Sequence, residues 1–243
     1  MKILIVGFGF VGTATDYLFS VSGGLDVRIH DPMKGFVAEK EQYDYIFLCV
    51  PTDLVHGRLD MTILHDACNE WKDYGQIVIR STIGPDQVPE FPNAIMMPEF
   101  LREKHWREDV DNPYIPIIVS DYVLHGHLDR ALPNKTILYL PPQTAAFFKL
   151  ARNSALAMKV AVANELYDIC THHGIIYDDI RDLLVTDVAV GGTHWDVPGP
   201  DGQPGFGGKC LPKDLTHTEK LCYNTDNVFE TALRCNKRRR PFE

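Results

Sequence analysis

Short apolar runs alternate with helix-length stretches over the first 140 residues. Lys2–Val6, Val27–His30, Tyr45–Val50, Ile77–Arg80, Ala94–Met97, Ile115–Val119 and Thr136–Leu140 are strand candidates. Several are continuous rather than alternating, the pattern of strands covered on both faces. Strands separated by helices predict an α/β domain with a doubly wound, mainly parallel sheet. Pro141-Pro142 ends that rhythm. From Gln143 to His173 there is neither proline nor glycine, and apolar residues recur at Phe147, Leu150, Ala151, Leu156, Val160, Ala161, Leu166 and Ile169. This predicts one helix of roughly 45 Å, which Gly174 is placed to end. A shorter helix from about Asp178 to Leu184 follows, then a glycine- and proline-rich loop, Gly191–Pro212, and more helix. Two domains are expected, residues 1–140 and an all-helical unit of residues 141–243.

Composition narrows the class. The 243 residues are 45 % apolar and 23 % charged, an ordinary globular usage, and carry a formal charge of −9. An acidic chain is a poor general binder of nucleic acid or anionic membrane, so neither is expected as a partner. The basic run Lys237, Arg238, Arg239, Arg240 reads as a solvated helix end that suits the macrodipole. No apolar run reaches bilayer length, and Met1–Gly7 turns to glycine too soon for a signal peptide. Six cysteines without a CxxC pair read as reduced thiols of a cytoplasmic protein. His125, His127, His172 and His173 lack companion ligands, so no metal is expected.

Gly7-Phe8-Gly9-Phe10-Val11-Gly12 follows the first strand candidate and opens a helical pattern. In such a GxGxxG turn Gly7 allows the tight bend, Gly9 lets backbone approach a pyrophosphate, and Gly12 lets helix and sheet pack closely. The helix start then offers its N–H groups to phosphate. Asp31 ends the second strand candidate, where a carboxylate binds ribose hydroxyls and repels a 2′-phosphate. A Rossmann-like domain using NAD rather than NADP is expected, with Lys34 close enough to soften that repulsion. The alternative is a glycine turn with no ligand.

The stretch Gly205-Phe206-Gly207-Gly208-Lys209-Cys210-Leu211-Pro212-Lys213-Asp214 is the most specific in the chain. Its small positions are expected to bring backbone near a ligand. A thiol at a helix start beside Lys209 and Lys213 is biased toward thiolate. Asp214, one turn on, is placed to accept a proton or orient a water. Together they read as an activated nucleophile beside an acid/base group; the alternative is a structural buried cysteine.

At this point the sequence resembles the UDP-glucose/GDP-mannose dehydrogenase family. Val197-Pro198-Gly199-Pro200-Asp201-Gly202 and the GFGGKCLPKD stretch look like its active-site loop. In the family's order, Cys49-Val50-Pro51-Thr52 with Leu59-Asp60 resembles a loop after a core strand. Arg80-Ser81-Thr82-Ile83, with Pro85, resembles its STxxP segment. Pro98-Glu99-Phe100-Leu101-Arg102-Glu103 resembles NPEFLRE, with Met97 in place of Asn. Lys149, Asn153 and Lys159–Glu165 resemble its long central helix.

The resemblance implies NAD-dependent oxidation of the C6 primary alcohol of a nucleotide-linked hexose to a uronate. Cys210 would carry the aldehyde as a thiohemiacetal and then a thioester. Lys149 and Asn153, four apart on one helix side, would stabilise an oxyanion. Asp214 would activate water with Lys149 as partner, and Thr82 and Glu99 would hold water or substrate. The cofactor would meet Gly7, Gly9, Phe10, Val11, Gly12, Asp31, Val50, Pro51, Thr52 and Thr82. The helical unit would be the dimerisation domain, and a homodimer through the long helix is expected.

Some positions depart from the family. A glutamate near the start of the long helix is Ala146, the arginine of a DxRIG segment is Ala189, and a basic residue before GFGG is Pro204. The family's third domain, an α/β unit that grips the nucleotide, would begin near Asn236. The resemblance therefore implies a short form whose missing part is absent or supplied by a separate chain. Two further readings stand beside the enzyme: a non-catalytic NAD-binding remnant or split-enzyme subunit, and a Rossmann dehydrogenase of 3-hydroxy acids. The last explains GxGxxG but not GFGGKCLPKD.

Overall fold

A computed structural model describes residues 1–20 and 25–241. The chain forms two compact units, Met1–Asp53 with Leu59–Lys149, and Leu54–Arg58 with Leu150 onward.

The first unit is built on β1 (Lys2–Val6), α1 (Phe10–Ser20), β2 (Asp26–His30) and β3 (Tyr45–Leu48). The short strands β4 (Leu54–Val55) and β5 (Arg58–Leu59), paired with each other, come next in the chain, residues 54–58 belonging to the second unit; the sequence pattern did not announce them. Then follow α2 (Thr62–Trp71), β6 (Gln76–Ile79), β7 (Ile95–Met96), α3 (Trp106–Asp111), β8 (Ile117–Val119), α4 (Tyr122–Ala131) and β9 (Ile137–Tyr139). The sheet runs β2-β1-β3-β6-β7, parallel at every pairing. β8 and β9 pair in parallel beside it; Ser120, just past β8, reaches β7 through its N–H to the Met96 carbonyl at 3.0 Å. The expected doubly wound α/β sheet is present.

Unbroken apolar runs became buried strands for a direct reason. Ile3, Leu4, Ile5, Ile46, Phe47 and Leu48 are all fully buried, as only a strand covered on both faces can be. Phe19 of α1 packs on Phe47 with ring centroids 5.0 Å apart. Because the strands are parallel, their carboxyl ends share one edge. That edge carries Gly7, Cys49–Thr52, Arg80–Thr82 and Met97–Glu99, where doubly wound folds bind ligands.

The second unit holds most of α5 (Pro142–His173), with α6 (Tyr177–Thr186), α7 (Leu211–Lys220) and α8 (Val228–Arg239). The 32-residue α5 ends as the sequence predicts. Gly174 takes φ 68°, and Ile175 N–H returns to the Cys170 carbonyl at 2.9 Å, a Schellman closure.

The apolar positions of α5 do not all turn inward: Phe147 and Ile169 are 44 % and 52 % exposed. The buried side instead carries Ala145, Ala146, Lys149, Leu150, Asn153, Ser154, Ala157, Val160 and Asn164. Polar groups take the inner face because each finds a hydrogen-bond partner there, which removes the cost of burying it. No helix among the described residues is long and apolar enough to cross a membrane.

Candidate functional site

In the first unit, β1 ends at Val6 and the chain bends sharply at Gly7, with φ 85°. A Cβ there would lie 2.8 Å from the Cys49 carbonyl oxygen, and one at Gly12 would lie 2.1 Å from that of Gly7. Only glycine serves at both places. At Gly9 the space a Cβ would take is open. The turn is therefore shut on its protein side and open at Gly9, the side from which such turns admit a phosphate. The Asp31 carboxylate accepts the Phe8 N–H at 2.8 Å, and Lys34 donates to the Phe8 carbonyl at 2.6 Å. Both charges are thus tied to the glycine turn.

Along the same edge, Thr52 is buried and donates its hydroxyl to the Thr82 carbonyl at 2.8 Å, and Ser81 donates to the Val50 carbonyl at 2.6 Å. Val50 and Thr82 are half-buried, and Pro51 is exposed. Cys49 lies beneath the turn, where burial, only partly opposed by the Arg80 charge, pushes its thiol up to about 11.

Glu99 and Lys149 form a buried ion pair. The ammonium donates to both the carboxylate Oε1 and the carbonyl of Glu99, each at 2.7 Å. Leu101 N–H donates to the other carboxylate oxygen at 2.7 Å. Burial works to raise the Glu99 pKa, but the Lys149 charge and hydrogen bond outweigh it and hold the group below its ordinary value. The stability it contributes is complete above the unfolded value of about 4.3 and is lost as pH falls through the lower folded value. Melting curves between pH 3 and 6 should therefore fall less steeply in Glu99→Gln than in the parent; equal slopes would remove Glu99 from the acid response.

In the second unit, Cys210 sits immediately before α7, half-buried, and the Asp214 N–H donates to its carbonyl at 2.9 Å. Asp214 is 1 % exposed. Its Oδ2 accepts from Asn153 Nδ2 at 2.6 Å, and Lys213 Nζ lies 3.0 Å from Oδ1. One turn on, the Thr218 and Ser154 hydroxyls meet at 2.9 Å. The sequence reading paired Asp214 with Lys149. The carboxylate is instead shared by Asn153 and Lys213, while the lysine is held by Glu99.

The glycine-rich loop also departs from expectation. A Cβ at Gly205 would fall 2.4 Å from Asn236 Oδ1, and one at Gly207 would fall 2.2 Å from Arg240 Nη1. These two glycines make room for side chains of this chain rather than for a ligand. Nor is the basic run wholly solvated. Arg239 pairs with Glu165 and Asp168, and Arg240 is 6 % exposed and bonded to Asp201. Asn236 and Arg240 escaped the sequence reading because their partners lie about 30 or more residues away and share no local pattern with them. Among the described residues no cluster of His, Cys, Asp and Glu could hold a metal ion.

The fold and this edge define a Rossmann-like α/β protein with a helical central domain. Residues 143–238 match the UDP-glucose/GDP-mannose dehydrogenase family, central domain. A UDP-glucose 6-dehydrogenase of Campylobacter jejuni is 26 % identical, the match covering 100 % of this chain and 73 % of that one. One from Rickettsia felis is 28 % identical over 83 % of this chain and 49 % of its own length. The chain thus spans between about half and three quarters of these curated relatives. A solved UDP-glucose dehydrogenase of Pyrobaculum islandicum superposes with a TM-score of 0.81 at 20 % identity, over 98 % of this chain and 68 % of that one.

Proposed function

We propose that this chain is an NAD-dependent nucleotide-sugar 6-dehydrogenase that oxidises the C6 alcohol of a UDP-glucose-like substrate to the carboxylate. The observation that carries the reading is the Cys210 segment: a half-buried thiol at the start of α7, with a buried carboxylate one turn away bonded to an amide of α5. When bound, NAD supplies the hydride acceptor. Gly7–Gly12 and Asp31 fit its diphosphate and ribose, with Val50, Pro51, Thr52 and Thr82 along the same edge.

The residues then divide the chemistry. Removal of hydride and proton from C6 leaves an aldehyde. The Cys210 sulfur bonds to that carbon and the oxygen takes a proton, giving a thiohemiacetal with a C–H to lose. A second hydride leaves to a second NAD, the hydroxyl proton goes to solvent, and a thioester remains. Asp214 takes a proton from water as the water attacks, the C–S bond breaks, and the thiol regains its proton. Lys149 and Asn153, on one side of α5, supply a cation and an amide donor for the oxyanion. Glu99 orients the lysine, and Thr82 assists in holding water or substrate.

Absorbance at 340 nm with UDP-glucose, GDP-mannose and related sugar nucleotides tests the reading. NADH formation supports it; no NADH with any of them overturns it for this chain. Ala189, where the family carries arginine, favours a second reading: an NAD-binding chain without catalysis, or one subunit of a split enzyme. NAD binding without turnover, or turnover only after a separate domain is added, selects it.

Two narrower expectations follow. Asp31→Ala should weaken NAD about 10- to 100-fold by calorimetry, the worth of hydrogen bonds to a charged group; unchanged affinity would contradict the ribose role. We also propose a homodimer through α5, where Phe147, Val162 and Ile169 lie exposed, in a reducing cytoplasmic setting suited to six cysteines free of disulfides. Light scattering at micromolar concentration should give twice the chain mass; a well-behaved monomer refutes the pairing.

A further inference from the structure

We propose that the C-terminal end of α8, through Asn236 in its last turn and Arg240 just past it, is the device that positions Cys210. The proposal rests on the reading of Cys210 as the nucleophile.

The segment Gly191–Lys209 contains no helix or strand, so side chains must fix its course. Asn236 grips both polar groups of one peptide position. Its Oδ1 accepts the Phe206 N–H and its Nδ2 donates to the Phe206 carbonyl, each at 2.8 Å. On the neighbouring residue, Gly205 N–H donates to Asn164 Oδ1 of α5 at 2.8 Å. Arg240 reaches further upstream: Nε donates to the Pro204 carbonyl at 2.8 Å, and Nη2 to Asp201 Oδ2 at 2.7 Å and the Gly205 carbonyl at 3.3 Å. Lysine could not copy this, because only the planar guanidinium presents several donors in fixed directions. Burial works to raise the Asp201 pKa, but the Arg240 hydrogen bond and charge together with backbone N–H groups, that of Gln203 foremost, outweigh it and hold the carboxyl below its ordinary value.

The loop and the helix are shaped for each other. Gly205 and Gly207 lack the Cβ atoms that would strike Asn236 and Arg240. The Phe206 ring, 2 % exposed, is seated among Ala157, Val160, Leu215 and Ala232. Four residues later comes Cys210, and four after that Asp214, tied to Asn153. The thiol is therefore suspended between two anchored points, one set by α8 and the other by α5. The α5 and α7 contacts hold the Gly205 N–H and the Phe206 ring, and the clamp adds the Phe206 N–H and the carbonyls of Pro204, Gly205 and Phe206, so that the chain enters the Gly208 joint, at φ 77°, from a fixed direction.

The test compares the full chain with Arg240→Met, Arg240→Lys and Gly207→Ala. The last drives a methyl into the guanidinium position while leaving every charge in place. Cys210 alkylation by iodoacetamide is followed by mass spectrometry across pH, beside steady-state NADH formation and circular dichroism. In folded Arg240→Met and Gly207→Ala, the alkylation midpoint should move upward by about half a pH unit or more, as the thiol leaves the helix start. kcat should drop roughly tenfold or more while KM for NAD stays level. Arg240→Lys should recover part of both losses. Should one variant fail to fold, the other decides. Folded variants with the parent's alkylation profile and kcat overturn the proposal. If Cys210→Ser in the parent still makes the acid, the nucleophile reading fails instead, and the alkylation profiles still report on the clamp.

Discussion

Cys210→Ser is expected to halt the oxidation at the aldehyde. Serine offers a far weaker nucleophile at neutral pH than a cysteine at a helix start. The aldehyde keeps its C–H, but without the tetrahedral adduct no neighbouring oxygen lone pair drives a second hydride out. Carboxylate formation should fall by roughly a thousandfold or more, the scale seen when a covalent nucleophile is removed. NADH per sugar should drop from two toward one or less. Product analysis by mass spectrometry, with the aldehyde trapped by an amine, distinguishes this from a general loss of binding. A variant that still yields uronate at the parent's rate removes the covalent route. The protein should remain folded, because Cys210 is half-buried and lies outside the core cluster of the sheet and the one around Phe206.

Lys149→Met is expected to affect both stability and turnover. The substitution strands the Glu99 carboxylate, 7 % exposed, without its main counter-charge. Breaking a buried pair from one side costs about 3–5 kcal/mol. In a chain of this size that lowers the melting midpoint on the order of 10 °C. Loss of the oxyanion donor should reduce kcat about 100- to 1000-fold. Lys149→Met with Glu99→Gln separates the two effects. The double variant should regain much of the melting midpoint, since no charge is left unpaired, but none of the turnover. Equal melting of parent and Lys149→Met would mean that the ion pair contributes nothing measurable to the fold.

Much of this architecture was readable because its causes are local. Runs such as Ile3-Leu4-Ile5 and Tyr45–Leu48 can only be strands buried on both faces, and glycine at positions 7, 9 and 12 fixes the first turn. The span of α5 follows from the absence of proline and glycine between Gln143 and His173. Its inner face does not follow from apolar spacing, because hydrogen bonds seat Lys149, Asn153 and Asn164 inside while Phe147 and Ile169 face outward. The candidate residues were legible as types, but their partners were not. Nothing near Asp214 in sequence points to Asn153 rather than Lys149, and nothing near Gly207 announces Arg240. Those pairings are set by how α5, α7 and α8 pack, which is a property of the folded chain.

The Lys149–Glu99 contact bears on how the lysine would act. An ammonium carries three hydrogens on a freely spinning threefold rotor. Glu99 takes two of them, one on its side chain and one on its main chain. The rotor is locked, and the third hydrogen has a single direction left to point. A mobile, diffuse positive charge thereby becomes a donor with an address.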